Sequence, residues 1–97
     1  MEVILLRGAD EDLWSAWDCY EQIQPGLGEG FEGEVQRALA QIATYPESAP
    51  LYAGKFRRIL VRRFEHGIFY RVYGQRIVIT AILGLRQSTE TINRRLK

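Results

Sequence analysis

The amino-acid sequence predicts an α+β fold of order β-α-α-β-β-β, an antiparallel helical hairpin packed on a small, mainly antiparallel twisted sheet. Three observations carry that expectation. In the first half apolar residues recur at helical spacing: Phe31, Val35, Ala38, Leu39 and Ile42 fall at i, i+4, i+7, i+8 and i+11. In the second half the period drops to two, and the last apolar run is continuous. The two helical stretches are joined by little more than Pro25-Gly26, a link so short that the helices must fold back on each other. Ninety-seven residues, 46% hydrophobic and 11% aromatic, suffice for one domain (1–97) with one core.

The elements follow in order. Residues 2–7 hold the apolar run Val3-Ile4-Leu5-Leu6 and end at Gly8, which at this length reads as a strand. Asp10 opens a helix, where Asp10, Glu11 and Asp12 suit the positive end of the helix dipole. Leu13, Trp17 and Tyr20 form its apolar face, widened by Trp14 and Ala16. Pro25-Gly26 stops it, and a second helix starts at Leu27 or Gly28 and ends before Pro46 and Pro50. Residues 55–63 read as a strand with Phe56 and Leu60 on one face, Ile59 and Val61 on the other. Residues 64–73 read as the next strand, with His66, Ile68, Tyr70 and Val72 alternating with Phe69, Arg71 and Tyr73. Gly74-Gln75 fits a two-residue hairpin turn with glycine first. Residues 76–83 are apolar on both faces, which predicts a central strand. The tail, 88–97, is either a short basic helix or a frayed end.

Charge divides the chain near its midpoint. Residues 1–50 carry ten acidic side chains against Arg7 and Arg37; residues 51–97 carry eleven Lys or Arg against Glu65 and Glu90. A basic half calls for a polyanion or an acidic protein segment as partner, unless the halves neutralise each other across the fold. Cys19 is the lone cysteine and His66 the lone histidine, which excludes an intramolecular disulfide, a cysteine metal cluster and any two-histidine site. No cofactor and no metal are therefore expected. The N-terminus lacks the basic segment of a signal peptide, and no apolar run nears the ~20 residues of a membrane span. A soluble cytoplasmic protein with no membrane contact is expected.

The stretch Asp12-Leu13…Ala16-Trp17…Tyr20…Pro25-Gly26-Leu27-Gly28…Phe31 resembles the start of ParE-type toxins of the RelE/ParE superfamily. Pro46, Arg57-Arg58, Val61-Arg62-Arg63-Phe64, Gly67-Ile68-Phe69-Tyr70-Arg71-Val72, Arg76-Ile77-Val78-Ile79, Ala81-Ile82-Leu83 and Arg86 continue the resemblance in order. It implies the fold above and the toxin of a type II toxin–antitoxin pair, silenced by a cognate antitoxin that wraps an extended or helical C-terminal segment around it. Within the superfamily, RelE-like members cleave mRNA on the ribosome with basic side chains and a tyrosine near the C-terminus, whereas ParE-like members poison DNA gyrase without cleaving nucleic acid. The mid-sheet arginine of the nucleases falls at Gly67 here, and no tyrosine follows Thr80. The Arg-Arg-Asp-Pro motif of many ParE relatives is also only partly matched, because the segment reads Gly84-Leu85-Arg86-Gln87-Ser88-Thr89.

A metal-free ribonuclease needs a base, an acid and cations for the phosphorane charge. Its candidates here are Arg62, His66, Arg71 and Arg86, but His66 alternates in phase with Ile68 and Tyr70, which favours a structural histidine. Tyr70 reads as core, with its hydroxyl satisfied at the edge. The arginines have a better account in binding. Arg57 and Arg63 share one strand face and Arg58 and Arg62 the other; with Arg71, Arg76 and Arg86 they can build a basic surface for an acidic antitoxin tail or for phosphate. The competing account pairs them with Glu29, Glu32 and Glu34 on the helices. Trp14 lies either at the core margin or at a protein contact. Cys19 reads as a small helical side chain, and Gly28 and Gly30 are not a phosphate loop, because no strand precedes them.

The reading is thus a ParE-type toxin that binds DNA gyrase and an antitoxin through Arg57, Arg58, Arg62, Arg63, Arg71, Arg86 and Trp14. The alternatives are an endoribonuclease acting on ribosome-bound mRNA and a remnant that binds only antitoxin.

Overall fold

Val3, Ile4 and Leu5 enter the computed structural model, which describes residues 1–97, as β1 (Glu2–Leu5). The chain turns at once into α1 (Arg7–Ile23), which begins three residues ahead of the acidic run; Leu6 precedes it in extended conformation without a side-chain cap. Of the acidic run, Asp10 alone falls in the first turn. α2 (Leu27–Thr44) follows after three residues and buries Phe31, Val35, Ala38, Leu39 and Ile42, the set picked out by helical spacing. The helix ends are tied by Glu21. Its carboxylate accepts the backbone N–H groups of Gly26 (3.0 and 3.1 Å), Gly28 (2.8 Å) and Glu29 (3.3 Å), donors that no helix can satisfy internally at its first turn. Gly28 permits the close crossing, since a Cβ there would lie 2.6 Å from the Trp17 carbonyl oxygen.

The second half forms β2 (Leu51–Ala53), β3 (Phe56–Leu60), β4 (His66–Tyr73) and β5 (Arg76–Gly84), then α3 (Thr89–Arg95). The sheet order is β1-β5-β4-β3-β2, with β1 parallel to β5 and the other pairs antiparallel. β5 is an interior strand, flanked by β1 and β4, as its two apolar faces predict, while β4 holds the middle of the sheet. Two expectations need correction. The three-residue β2 adds a strand to the expected order, because it is too short and too close to Pro50 to show a period. The strand expected over 55–63 ends at Leu60, where a turn with Arg63 at φ 71° leads into β4. Arg62 and Arg63 therefore project from that turn and not from opposite faces of a strand. Gly74 takes φ 58° in the two-residue β4–β5 turn, a backbone state that costs glycine nothing.

One irregularity sets which side chains meet the helices. Tyr70 pairs with Ile79 but Phe69 pairs with Ala81, so Thr80 is a one-residue bulge in β5. The side-chain phase flips there, and Ile77, Ile79 and Ile82 all join the core beneath α1 and α2, with Ile59, Ile68 and Tyr70. Ala81 and Leu83 turn to the other face, where α3 covers them. Ile92 and Leu96 of that region are buried against Phe69, Ala81 and Leu83, with Tyr52 and Phe56 at the margin. Burying two such side chains is worth about 1.5–3 kcal/mol each. Ser88 caps α3 by accepting from the Thr91 N–H at 3.1 Å, and Arg94 and Arg95 occupy its last turn, where the helix dipole favours cations.

Candidate functional site

Arg57 and Tyr70 face each other across β3 and β4 in register and both reach the loop between α2 and β2. Arg57 Nη1 donates to the carbonyls of Glu47 (3.1 Å) and Ala49 (2.7 Å); the Tyr70 hydroxyl donates to that of Pro46 (2.8 Å). Tyr70 is fully buried, and burial raises its pKa above the ordinary phenol value. Arg57 is thus committed to holding a loop whose backbone has no ladder of its own.

The sheet face opposite the helical hairpin carries Arg58 and Arg71. The Arg58 guanidinium carbon sits 5.0 Å from the Tyr52 ring centre, and that of Arg71 sits 4.5 Å from Tyr73. Such contacts give about 0.5–1 kcal/mol when exposed. Neither arginine has an acidic partner, and the buried Nε of Arg71 has no hydrogen-bond partner. Gly67 belongs to this arrangement: a Cβ on it would come within 3.0 Å of Arg58 Cδ and 3.3 Å of Leu85 Cδ2. The space a side chain at Gly67 would take is here filled from the neighbouring strand by Arg58.

The remaining candidates are dispersed. Arg63 leans towards the buried carboxylate of Glu34 (4.0 Å), which also meets Arg37 at 3.4 Å. Arg86 pairs with Glu65 at 3.0 Å, both exposed. Arg62 is exposed in the β3–β4 turn with no acidic partner. Trp14 is 48% exposed, packs edge-on against Trp17 and donates to Asp10 at 3.2 Å. The arginines therefore form no single cluster. The pairing with helical glutamates holds for Arg63 and Glu34 only.

His66 lies under the hairpin among Tyr20, Phe31 and Phe64, with Nδ1 3.1 Å from the Tyr20 hydroxyl. Burial lowers its pKa below 6.5; Asp12 and Glu65 push weakly the other way. A cleft of about 390 Å³ opens beside it, between α1 and the stretch of β5 that β1 leaves uncovered. The nuclease candidates thus fall on different surfaces: His66 beneath the helices, Arg71 on the reverse face, Arg62 in the turn and Arg86 beyond β5. No three His, Cys, Asp or Glu side chains come close enough to hold a metal ion, and no helix is long and apolar enough to cross a membrane.

Sequence reasoning gave Asp12 only a helix-start role and named Glu34 as an arginine partner without marking it as buried. Asp12 accepts from Ile82 N–H at the uncovered β5 edge (3.0 Å) and from Arg95. Its position in an acidic helix start gave no sign of a long-range partner. Glu34 had a usable signal, since its i+1 to Val35 and i+3 to Phe31 spacing puts it beside the buried stripe.

Residues 3–88 match the family model described as "ParE toxin of type II toxin-antitoxin system, parDE". Among solved structures, the chain is similar to the "Chromosomal ParDE TA system from P. aeruginosa", at TM-score 0.66 and 22% identity over 87% of this chain and 95% of that one. No curated protein sequence matches significantly.

Proposed function

Since the chain belongs to the ParE toxin family of type II toxin–antitoxin systems, we propose that it acts by binding a protein target, DNA gyrase, and is silenced by a cognate antitoxin. The observation that carries this reading is the family match across residues 3–88. The distribution of charge supports binding over nucleolysis. Arg58 and Arg71 present two guanidiniums without acidic partners on one sheet face, while the lone histidine is engaged with Tyr20 beneath the other. Guanidiniums parked on aromatic rings give up little when they move to a carboxylate of a partner, and that exchange is charge-assisted and often bidentate. Arg58 and Arg71 are accordingly assigned to the contact with target or antitoxin.

The test is to induce the chain alone in bacteria and pulse-label DNA and protein synthesis. An early fall in DNA synthesis with translation persisting is expected, followed by loss of gyrase supercoiling with purified protein. An early fall in translation, with cleaved mRNA, would replace this reading with the endoribonuclease.

A further inference from the structure

β1 stops at Leu5, opposite Ile79, and leaves the last residues of β5 without a strand on that side. The Ile82 N–H turns there to Asp12, while on the other side the Leu85 N–H donates to Glu65 C=O. Strand residues two apart present their backbone groups to the same side, so Ile82 C=O and Gly84 N–H also face away from β4. The Gly84 carbonyl already accepts the Gln87 N–H at 3.3 Å. An acceptor and a donor therefore stand side by side on one strand edge.

Both residues line the cleft of about 390 Å³ between α1 and β5, whose apolar lining includes Ala16, Ile23 and Leu83. His66 stands at the same cleft, with Nδ1 engaged by the Tyr20 hydroxyl. Its Nε2 has no partner and is not sealed from solvent; a Cβ on Gly84 would lie 4.0 Å from it. The imidazole presents either an N–H or a lone pair at Nε2, according to how the Tyr20 hydroxyl turns. Available charge is missing. No Lys or Arg lines the cleft, and Asp12, its one acid, commits both oxygens to Ile82 and Arg95. An anion would find no cation here and a cation no free carboxylate, so the chemistry favours an uncharged occupant. Ligand clefts of this size combine apolar walls with a few placed polar groups. A flat ring with adjacent donor and acceptor atoms would pair with this edge as a neighbouring strand does. Two backbone groups are too few to hold a length of peptide but enough to orient one ring system.

We propose that this cleft binds an uncharged planar heterocycle of the nucleobase class, seated on Ile82 C=O and Gly84 N–H with His66 Nε2 as a third contact. The site is separate from Arg58 and Arg71 and does not depend on which macromolecule they meet.

Cys19, the lone cysteine, lines the cleft and is exposed, so its alkylation by iodoacetamide reports occupancy. The test adds uracil, cytosine or adenine to the purified full chain and follows that alkylation together with the Gly84 amide in nitrogen-15 NMR. A ligand this small binds with a Kd of about 1 mM. A concentration of about 10 mM should then slow alkylation about tenfold and shift the Gly84 amide saturably. 1,3-Dimethyluracil, which keeps the ring but has no N–H, is expected to do neither, and so is inorganic phosphate. Gly84→Leu places a side chain in the cleft, where its Cβ meets only ordinary contacts at 3.8 and 4.0 Å. This variant, its fold verified by circular dichroism, should lose the protection that the bases give Cys19. The site is overturned if none of the three bases protects Cys19 or shifts Gly84. Equal effects from 1,3-dimethyluracil, or protection that survives in Gly84→Leu, would overturn it as well.

Discussion

Asp12 and Arg95, 83 residues apart in the chain, are joined by two parallel hydrogen bonds, Nη1 to Oδ1 at 3.0 Å and Nη2 to Oδ2 at 2.8 Å. Asp12 Oδ2 also accepts the Ile82 N–H, which β1 is too short to pair. One carboxylate thus closes the open edge of β5 and clasps α3 to α1, and the hydrogen bonds to Asp12 raise the pKa of Arg95. Asp12→Ala would leave a strand N–H without an acceptor and a half-buried guanidinium without its anion. The expected loss is about 2–3 kcal/mol in urea unfolding. Arg95→Ala, which spares the strand contact and removes a partly exposed group, is expected to cost about 1 kcal/mol. Equal losses would show that Asp12 matters only as the partner of Arg95.

The hairpin depends on Glu21 in the same manner. Its carboxylate is the acceptor for three backbone N–H groups at the start of α2, where the dipole also favours a negative charge. Glu21→Ala is expected to lower stability by about 1–2 kcal/mol, within the range found for lost caps. Gly28→Ala tests the other half of the joint. Its methyl group would meet the Trp17 carbonyl at 2.6 Å, and the helices must part to admit it. Overpacking of this kind costs about 1–3 kcal/mol. A Gly28→Ala protein as stable as the original would mean the crossing is looser than its geometry.

His66 gives the fold a pH dependence of predictable sign. Burial holds its folded pKa below 6.5, so the unfolded chain binds the proton more readily than the folded one. The stability from this group is present above about pH 6.5 and is lost as pH falls through the lower, folded value. Unfolding free energy should therefore be smaller at about pH 5.5 than at about pH 7.5, and His66→Gln should flatten that slope. The groups facing His66 are Tyr20 at 3.1 Å and the more distant carboxylates of Asp12 and Glu65. An unchanged slope in His66→Gln would move the pH dependence to the carboxylates.

What the sequence made legible was whatever has a period. Phe31, Val35, Ala38, Leu39 and Ile42 announced α2, and the unbroken apolar run of β5 announced a strand covered on both sides. The bulge at Thr80 has no compositional mark, yet it decides that Ile82 and not Ala81 meets the helices. β2 was missed because three residues cannot display an alternation. The arginines were located by type but not by role. Arg57 serves loop carbonyls and Arg58, its neighbour, rests on an aromatic ring, a difference set by the alternation of one strand and by partners distant in sequence. Ion pairs such as Asp12–Arg95 leave no local trace, because each partner has an adequate local reading as a helix-end charge.

That difference between adjacent arginines separates stability from function. Arg57→Gln removes the donor that holds the Glu47 and Ala49 carbonyls, and its first effect is on the fold, a loss of about 1–2 kcal/mol. Arg58→Gln with Arg71→Gln removes two guanidiniums that contact only aromatic rings, and the expected stability change is about 1 kcal/mol or less. If their sheet face meets the target, the double variant should express as a folded protein and no longer arrest growth when induced without antitoxin. Arg57→Gln, tested below its melting temperature, should still arrest growth. The measurement is colony formation after induction, set beside the melting temperature of each purified protein. Full toxicity in the Arg58/Arg71 pair would move the target contact off this face and leave Arg62, in the β3–β4 turn, as the remaining arginine of the set without an acidic or carbonyl partner.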